Sequence, residues 1–218
     1  FTGVLGKLID GSSLQITISR TFIAFFSLLI YLYISKSFKT HTWKKILQYA
    51  GVGVIIGFHW YAFFESIHQS NVSVALTCLA SASLFVSILN PFLGRQKKFK
   101  PYEMLLGIMA ILGIYIVFSF EGQYTLGIIL GLITSLLGAI FTIINGNFIE
   151  RGDDATHITL YEMLGAGLTI GICGMFSADF TLNFPFETDD WIYVIILGTV
   201  CTAFAFLLGI YVMKEVSA

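Results

Sequence analysis

Several polar and ionisable side chains lie inside segments that are otherwise apolar, and these residues could bind a small molecule. Arg20 and Glu162 are each the single formal charge in a long apolar run. An ionisable group inside a membrane segment is costly and usually faces a cavity or a partner. A cation and a carboxyl group at different depths could receive the carboxylate and the amine of a zwitterion at successive stages. The alternative for each residue is a side chain that snorkels to the nearby membrane edge.

His59 and Asn145 extend this set of polar groups. The His59 imidazole could bind a substrate or relay protons, and a buried histidine that only packs against its neighbours is an equal alternative. Asn145 lies on a stripe of small residues, where its amide either hydrogen-bonds a neighbouring helix or borders a cavity. Trp60 and Phe63 are interpreted as packing or lipid-facing rings rather than a stacking surface, although Phe63 shares the face of His59.

The segment 71–92 is the one around which the chain is organised. It runs for 22 residues without a formal charge, which as a helix is long enough to cross a hydrocarbon core of about 30 Å. At helical periodicity, Thr77 and Ser81 lie on a polar face, and Val74 and Cys78 lie on the opposite, apolar face. We therefore expect Thr77 and Ser81 to face the protein interior and the apolar side to face lipid.

Composition extends this conclusion to the whole chain of 218 residues, of which 56% are hydrophobic and 11% are charged. Soluble proteins carry about 25% charged residues, so the composition indicates a polytopic membrane protein. The three cysteines have no metal-ligand spacing, and the sequence contains no HExxH, GxSxG, CxxC or phosphate-binding loop. We therefore expect no enzyme activity, metal, cofactor or nucleic-acid partner.

The apolar segments predict an all-α polytopic membrane helix bundle embedded in the lipid bilayer. Seven complete spans are expected, preceded by residues 1–9, which we interpret as the end of a first helix in a fragment of a longer protein. The predicted spans cover residues 13–35, 46–66, 71–92, 103–120, 126–148, 158–177 and 191–213.

Charge in the loops orients this bundle. The loops at 36–45 and 95–100 are rich in lysine and arginine, which is typical of cytoplasmic loops. Acidic residues concentrate in the segment 179–190, which we expect on the outside. The chain is therefore predicted to be a multi-pass protein of the cell (inner) membrane with its basic loops in the cytoplasm.

An internal repeat connects the two candidate charges. When the sequence is shifted by 142 residues, Thr17 and Arg20 align with Thr159 and Glu162, and the polar stripes of their helices superimpose. The shift covers five spans, an odd number, so the two halves must cross the membrane in opposite orientations. Inverted repeats are a feature of secondary carriers, whose substrate sites lie near the membrane midplane.

The segment 59–118 combines a short turn after the third helix, a small-residue fourth helix with Pro91 near its end, a basic loop, and a fifth helix with a glutamate and glycines. In these features it resembles the first EamA domain of the drug/metabolite transporter (DMT) superfamily, and the resemblance extends over essentially the whole chain. It implies ten spans in two inverted five-helix repeats. Residues 1–122 would be the first repeat, and residues 123–218 the second, incomplete one. The resemblance also implies export or exchange of amino acids or other small metabolites.

The sequence therefore predicts an integral membrane secondary transporter that works by alternating access around a midplane cavity. The expected substrate is a small polar or zwitterionic, amino-acid-like metabolite held near the midplane by His59, Thr77 and Ser81, and proton coupling is an open option. A polytopic membrane enzyme and a heptahelical sensor are the alternatives, and the oligomeric state is not indicated. The predicted substrate-binding residues are Arg20, His59, Phe63, Thr77, Ser81, Asn145 and Glu162.

Overall fold

The described part of the chain folds into helices. The computed structural model describes residues 1–94, 101–120, 122–177 and 186–216, and in these residues it contains helices and no strand. The α-helices are α1 (Thr2–Leu8), α2 (Ser13–Ile34), α3 (Trp43–Gln69), α4 (Val72–Ala80), α5 (Ala82–Leu93), α6 (Pro101–Phe120), α7 (Thr125–Glu150), α8 (Ala155–Met175), α9 (Thr188–Gly198) and α10 (Ala205–Val216).

Polar caps fix where the long helices begin. Before α2, the Ser12 hydroxyl accepts from the backbone N–H of Gln15, and the Gln15 side chain accepts from the N–H of Ser12. The Asn71 side chain caps α4, and the Asp154 carboxylate caps α8. Each cap satisfies backbone donors that have no partner within the first turn of a helix. The apolar runs between these caps then continue as helices.

Among the described residues, six helical segments are long and apolar enough to cross a membrane, which confirms the predicted class of an all-α, multi-pass membrane protein. The predicted fifth span is also helical, as α6. The basic loop at 95–100 and most of the acidic segment 179–190 lie outside the described residues. The six segments are Ser13–Ile34, Trp43–Gln69, Val72–Leu93, Thr125–Glu150, Ala155–Met175 and Thr188–Met213.

The loops meet at two opposite ends of the bundle. We call one the basic end, where the α2–α3 loop packs on the α7–α8 turn: the backbone N–H of Lys39 donates to Nε2 of His157 over 3.0 Å. We call the other the acidic end, where the backbone N–H of Asp10 donates to the carboxylate of Asp190 over 3.1 Å.

Helix α3 lies at the centre of the bundle and packs against α8, α7 and α2. Its buried side chains, among them Ile56, Phe64 and Ile67, join one apolar core with residues from α2, α8 and α9. Because lipid is as apolar as these side chains, close packing and hydrogen bonds rather than the hydrophobic effect must hold such helices together.

Two spans are interrupted rather than continuous. The fourth span is divided at Ser81, between α4 and α5. The last span contains a π-helical segment, Thr199–Phe204, between α9 and α10. A π-helical segment inserted in an α-helix is rare and is frequently found at functional sites.

Candidate functional site

Arg20 is the cation of the candidate site, and it is buried in the bundle at 1% exposure. Its guanidinium carbon lies 4.1 Å from the centre of the Trp60 ring and 5.4 Å from that of Phe64, both on α3. A guanidinium stacked on an aromatic face gains cation–π attraction. The side chain therefore lies inside the protein, and the alternative of a residue that snorkels to the membrane edge is wrong.

The hydrogen bonds of Arg20 lead to the π-helical segment of the last span. Nε and Nη2 of Arg20 donate to the Thr202 hydroxyl over 3.0 and 2.7 Å, and this hydroxyl donates to the carbonyl of Leu197 over 2.6 Å. A hydroxyl has one hydrogen and two lone pairs, so the Thr202 oxygen is fully used. In contrast, Nη1 of Arg20 is buried and has no partner among the described residues. Its N–H groups remain free to bind an anion.

Glu162 is the carboxyl group of the site, and it is completely buried on α8. The side chain of Asn145, which is 1% exposed, faces it from α7. All four polar atoms of these two side chains lack a hydrogen bond of normal geometry to any described residue. Asn145 on α7 therefore faces the buried carboxyl group of α8.

Arg20 and Glu162 occupy equivalent places in their helices. Each is the eighth residue of its helix, and a glycine of another helix packs on each peptide carbonyl. A β-carbon built at Gly53 would lie 2.2 Å from the Glu162 carbonyl oxygen, and one built at Gly198 would lie 3.1 Å from that of Arg20. Arg20 and Glu162 are therefore packed in a similar way on their two helices. The two side chains are not joined by an ion pair in the described structure.

His59 joins α3 to α7 close to Arg20. Its Nδ1 lies 2.8 Å from the carbonyl oxygen of Thr134, which can only accept, so Nδ1 carries the proton. The ring also packs edge-on against Phe141, with 5.1 Å between centroids. This geometry favours the packing alternative for His59 in the present conformation. Phe63 is buried at 2% exposure and packs against Phe64, as expected of a packing ring.

The fourth span corrects one expectation. Val74 and Cys78 are buried against α7, whereas Thr77 is partly exposed. The Thr77 hydroxyl donates to the carbonyl of Ser73 over 2.8 Å, so it is satisfied within its own helix and does not need a polar interior. The structure does not bring Thr77 together with Arg20 or Glu162.

Ser81 is buried at the interruption of the same span, as expected for an interior residue. Its hydroxyl donates to the carbonyl of Cys78 over 2.6 Å, and the hydroxyl of Ser135 on α7 donates to the same oxygen. Ser81 therefore closes the end of α4, and the hydroxyl of Ser135 attaches that end to α7. This position is structural in the present conformation.

Two residues that hold Arg20 were missed by the sequence analysis. Trp60 was interpreted as a packing or lipid-facing ring, but it is 5% exposed and forms the surface on which the guanidinium stacks. Thr202 lies 182 positions from Arg20 in the chain. The sequence does show that Thr202 is a polar residue within an apolar span. This pattern does not indicate which residue Thr202 contacts.

An apolar groove of about 600 Å³ lies between α2, α8 and α9 on the outer surface of the bundle. Its walls include Phe22, Leu168 and Trp191, and none of the predicted site residues contributes to it. Side chains of this kind suit lipid chains. The groove is therefore distinct from the polar interior around Arg20 and Glu162.

The fold and the site together define a class: a multi-pass helical membrane protein with a buried guanidinium on one helix and a buried carboxyl group on another. A sequence model of the EamA-like transporter family matches residues 1–119, more than half of the chain. The chain belongs to the EamA-like transporter family. The family points to a transporter rather than an enzyme.

Two relatives agree with this assignment, and one solved structure shares the fold. The chain is 26% identical over 181 residues to the uncharacterized transporter YxxF of Bacillus subtilis, covering 80% of this chain and 56% of the relative. It is 23% identical over 216 residues to an uncharacterized transporter of Archaeoglobus fulgidus, covering 98% of this chain and 73% of the relative. A crystal structure of another protein superimposes with a TM-score of 0.67 at 13% identity, covering 94% of this chain and 71% of that chain. That likeness shows a shared fold.

Proposed function

We propose that the protein is a secondary transporter that moves a small zwitterionic or carboxylate-bearing metabolite, amino-acid-like in size, across the cell membrane. The observation that supports the proposal most directly is Arg20. Its guanidinium is buried, stacked on Trp60 and hydrogen-bonded on one edge, and its Nη1 is free. A carboxylate could accept hydrogen bonds from the N–H groups of Nη1 without displacing an existing protein contact.

The second half of the site would bind the remaining polar groups of the substrate. Glu162 offers a carboxyl group at the place in α8 that Arg20 occupies in α2, and Asn145 on α7 offers an amide beside it. An amine could bind there at a different stage of the cycle. Since Arg20, Asn145 and Glu162 are nearly inaccessible in this conformation, substrate entry requires an opening of the bundle, as alternating access supplies.

The proposed orientation places the basic end in the cytoplasm. Lys36, Lys39, Lys44 and Lys45 lie in or beside the α2–α3 loop at this end. Lysine and arginine are enriched in cytoplasmic loops of membrane proteins. The direction of net flux, export or exchange, then follows from the substrate and ion gradients rather than from the fold.

Transport by the purified protein in proteoliposomes tests this function. We would measure counterflow of labelled amino acids, each compared with its methyl ester and with the corresponding amine that lacks the carboxylate. The expected result is counterflow of at least one amino acid, with loss when the carboxylate is esterified. Equal counterflow of acid, ester and amine would overturn the assignment of the carboxylate to Arg20. No counterflow of any of these compounds would overturn the proposed substrate class.

Arg20→Lys is the matching variant, because it keeps the charge and removes the planar fork that stacks on Trp60. We expect at least a tenfold loss of apparent affinity for the acid. Arg151→Lys is the control, since Arg151 is exposed in the α7–α8 turn at the basic end. Equal affinity in the wild type and Arg20→Lys would contradict the proposal.

A further inference from the structure

A second set of buried polar groups lies between Glu162 and the basic end of the bundle. Besides Nη1 of Arg20, six buried side-chain atoms of four residues in the described part of the chain lack a hydrogen bond of normal geometry. They are both carboxyl oxygens of Glu162, both amide atoms of Asn145, the Tyr49 hydroxyl oxygen and Nε2 of His41. Buried polar groups in proteins are nearly always hydrogen-bonded. Four such residues in one region therefore indicate a function beyond packing.

The first three of these residues follow each other along the bundle. Gly53 on α3 packs on the backbone of Glu162. Tyr49 precedes Gly53 by one helical turn and lies about 6 Å nearer the start of α3. The Tyr49 ring packs edge-on against Phe148, with 5.0 Å between centroids. Phe148 in turn follows Asn145 by one turn of α7. Tyr49 therefore lies on the side of Glu162 and Asn145 that leads to the basic end.

His41 continues the series to the surface. Its ring lies 6.2 Å from that of Tyr49 and 4.8 Å from that of His157, measured between centroids. His157 donates from Nδ1 to the carboxylate of Asp154 over 2.9 Å. Asp154 is accessible at the basic end, with its side chain 39% exposed. The polar series thus runs from a buried carboxyl group to an accessible one.

No charged group neutralises Glu162 among the described residues. Arg20 on α2 is engaged with Thr202, and Lys45 on α3 forms an ion pair with Asp153. A carboxylate buried without a cation is strongly unfavourable in an apolar interior, whereas a neutral carboxylic acid is tolerated. Other titratable groups on the helices around Glu162 include Tyr49, His59, Tyr161 and His157, and none of these four forms a hydrogen bond of normal geometry or an ion pair with it.

The donor set suits a proton better than a metal cation. One carboxyl group and one amide supply few oxygen ligands, and the described residues contain no group of three or more His, Cys, Asp or Glu side chains that could hold a metal. Sodium sites in carriers usually add backbone carbonyls from unwound helices. Helices α7 and α8 are continuous through Asn145 and Glu162, so their carbonyls are used within the helix.

We propose that Glu162 is a proton-binding carboxyl group of the membrane interior, connected to the basic end by Asn145, Tyr49 and His41. The Asn145 amide can hydrogen-bond Glu162 in both of its protonation states, because the amide oxygen accepts from the carboxylic acid and the amide nitrogen donates to the carboxylate. The Tyr49 hydroxyl and the His41 imidazole each accept a proton on one side and give one on the other. The proton that leaves Glu162 is released to water at the basic end, and no bond other than O–H or N–H changes.

The experiment uses a hydrophobic carbodiimide, which attaches covalently to protonated carboxyl groups within the membrane, and no transported substrate. The protein is reconstituted in proteoliposomes, and the orientation is determined by protease accessibility of the α2–α3 loop. The pH is then changed on one side only, and modification of the Glu162 peptide is followed by mass spectrometry. We expect Glu162 to be modified, with the extent of modification set by the pH at the basic end. The Glu162→Gln protein identifies the site by losing this modification.

Two results would overturn the proposal. One is modification that is absent at all pH values or follows the pH at the acidic end. The other is suppression of modification by sodium ions, but not by potassium ions, at constant pH, which would identify a sodium site. Because the readout needs no substrate, failure here leaves the proposed transport function standing.

Variants of the connecting residues test the route. Tyr49→Phe and His41→Phe keep the ring and remove the relaying group, and we expect each to slow the response to a pH jump at least threefold while the final extent stays unchanged. Tyr61→Phe is the matched control, since Tyr61 lies on α3 toward the acidic end. An unchanged response in both relay variants would show that protons reach Glu162 by another route.

Discussion

The backbone of Gly53 lies directly against the peptide carbonyl of Glu162, so that a β-carbon at position 53 would be 2.2 Å from the carbonyl oxygen. The next nearest atom would be the backbone nitrogen of Ala166, at 2.9 Å. Backbone atoms cannot move aside as the end of a flexible side chain can. The close approach of α3 and α8, which encloses the Glu162 side chain, therefore depends on the absence of a side chain at this position.

Gly53→Ala should destabilise the protein by about 1–3 kcal/mol, because it inserts a methyl group into a tightly packed contact. The measurement is the apparent unfolding temperature in detergent. Gly51→Ala is the matched control, since position 51 is on the same helix and has open space around its β-carbon. There the higher helix propensity of alanine should leave stability unchanged or slightly raised. Equal behaviour of the two variants would contradict the close packing of α3 on α8.

Thr202→Val should also lower stability, by about 1 kcal/mol or more, because it removes the acceptor of two charge-assisted hydrogen bonds from Arg20. Thr202→Ser keeps the hydroxyl and should retain most of the stability. Thr199→Val tests the same substitution at a hydroxyl that donates to the carbonyl of Ile195, four residues earlier in the same span. If Thr202→Val and Thr199→Val lower the unfolding temperature equally, Thr202 is not a specific partner of Arg20.

The positions of the spans could be predicted from sequence because long apolar runs end at polar caps. The second span was predicted to begin at Ser13, and the structure begins α2 there, after the Ser12–Gln15 capping box. The burial of Arg20, Asn145 and Glu162 could be predicted as well, since a polar group exposed to lipid is costly. These expectations follow from the chemistry of single segments.

The orientation of the fourth span could not be predicted from its pattern. In water an apolar face must be buried in protein, but in a bilayer it can face either lipid or another helix. Here Val74 and Cys78 pack on α7, and Thr77 satisfies its own hydroxyl. The partner of Arg20 was also hidden, because the π-helical segment around Thr202 contains no proline or glycine that would mark it. Such features depend on contacts between distant segments.

The proposed orientation predicts which end of the bundle a reagent can reach from outside the cell. In a cysteine-free background, Lys36→Cys marks the basic end and Asp189→Cys marks the acidic end, and both positions are exposed. A membrane-impermeant maleimide added to intact cells should label Asp189→Cys and should label Lys36→Cys only after the cells are opened. The reverse pattern would show that the positive-inside argument is wrong for this protein.

The α2–α3 loop should loosen as the solution is acidified, because the pKa of His41 lies below its ordinary value of 6.5. Burial lowers this pKa most, and the neighbouring His157 and the Lys45 ammonium lower it further. The carboxylates of Asp153 and Asp154 act in the opposite direction but do not outweigh these causes. With a lower pKa in the folded state, the unfolded loop binds more protons between the two pKa values. Stability is therefore complete above about pH 6.5 and is lost as the pH falls below it. Asp154 does not contribute in this window. Burial raises the pKa of Asp154, but the hydrogen bonds donated by His157 and Thr156 outweigh it and hold the pKa below 3.8.

Amide hydrogen exchange of residues 36–42 measures this loosening directly, including the Lys39 N–H that donates to His157. After correction for the intrinsic pH dependence of exchange, protection should fall between about pH 7.5 and about pH 5.5, on either side of the ordinary histidine pKa. His41→Phe keeps a ring against Tyr49 and Tyr161 but cannot titrate, so its protection should change less over the same range. Equal changes in the two proteins would show that His41 makes no measurable contribution and that another group at the basic end produces the pH response.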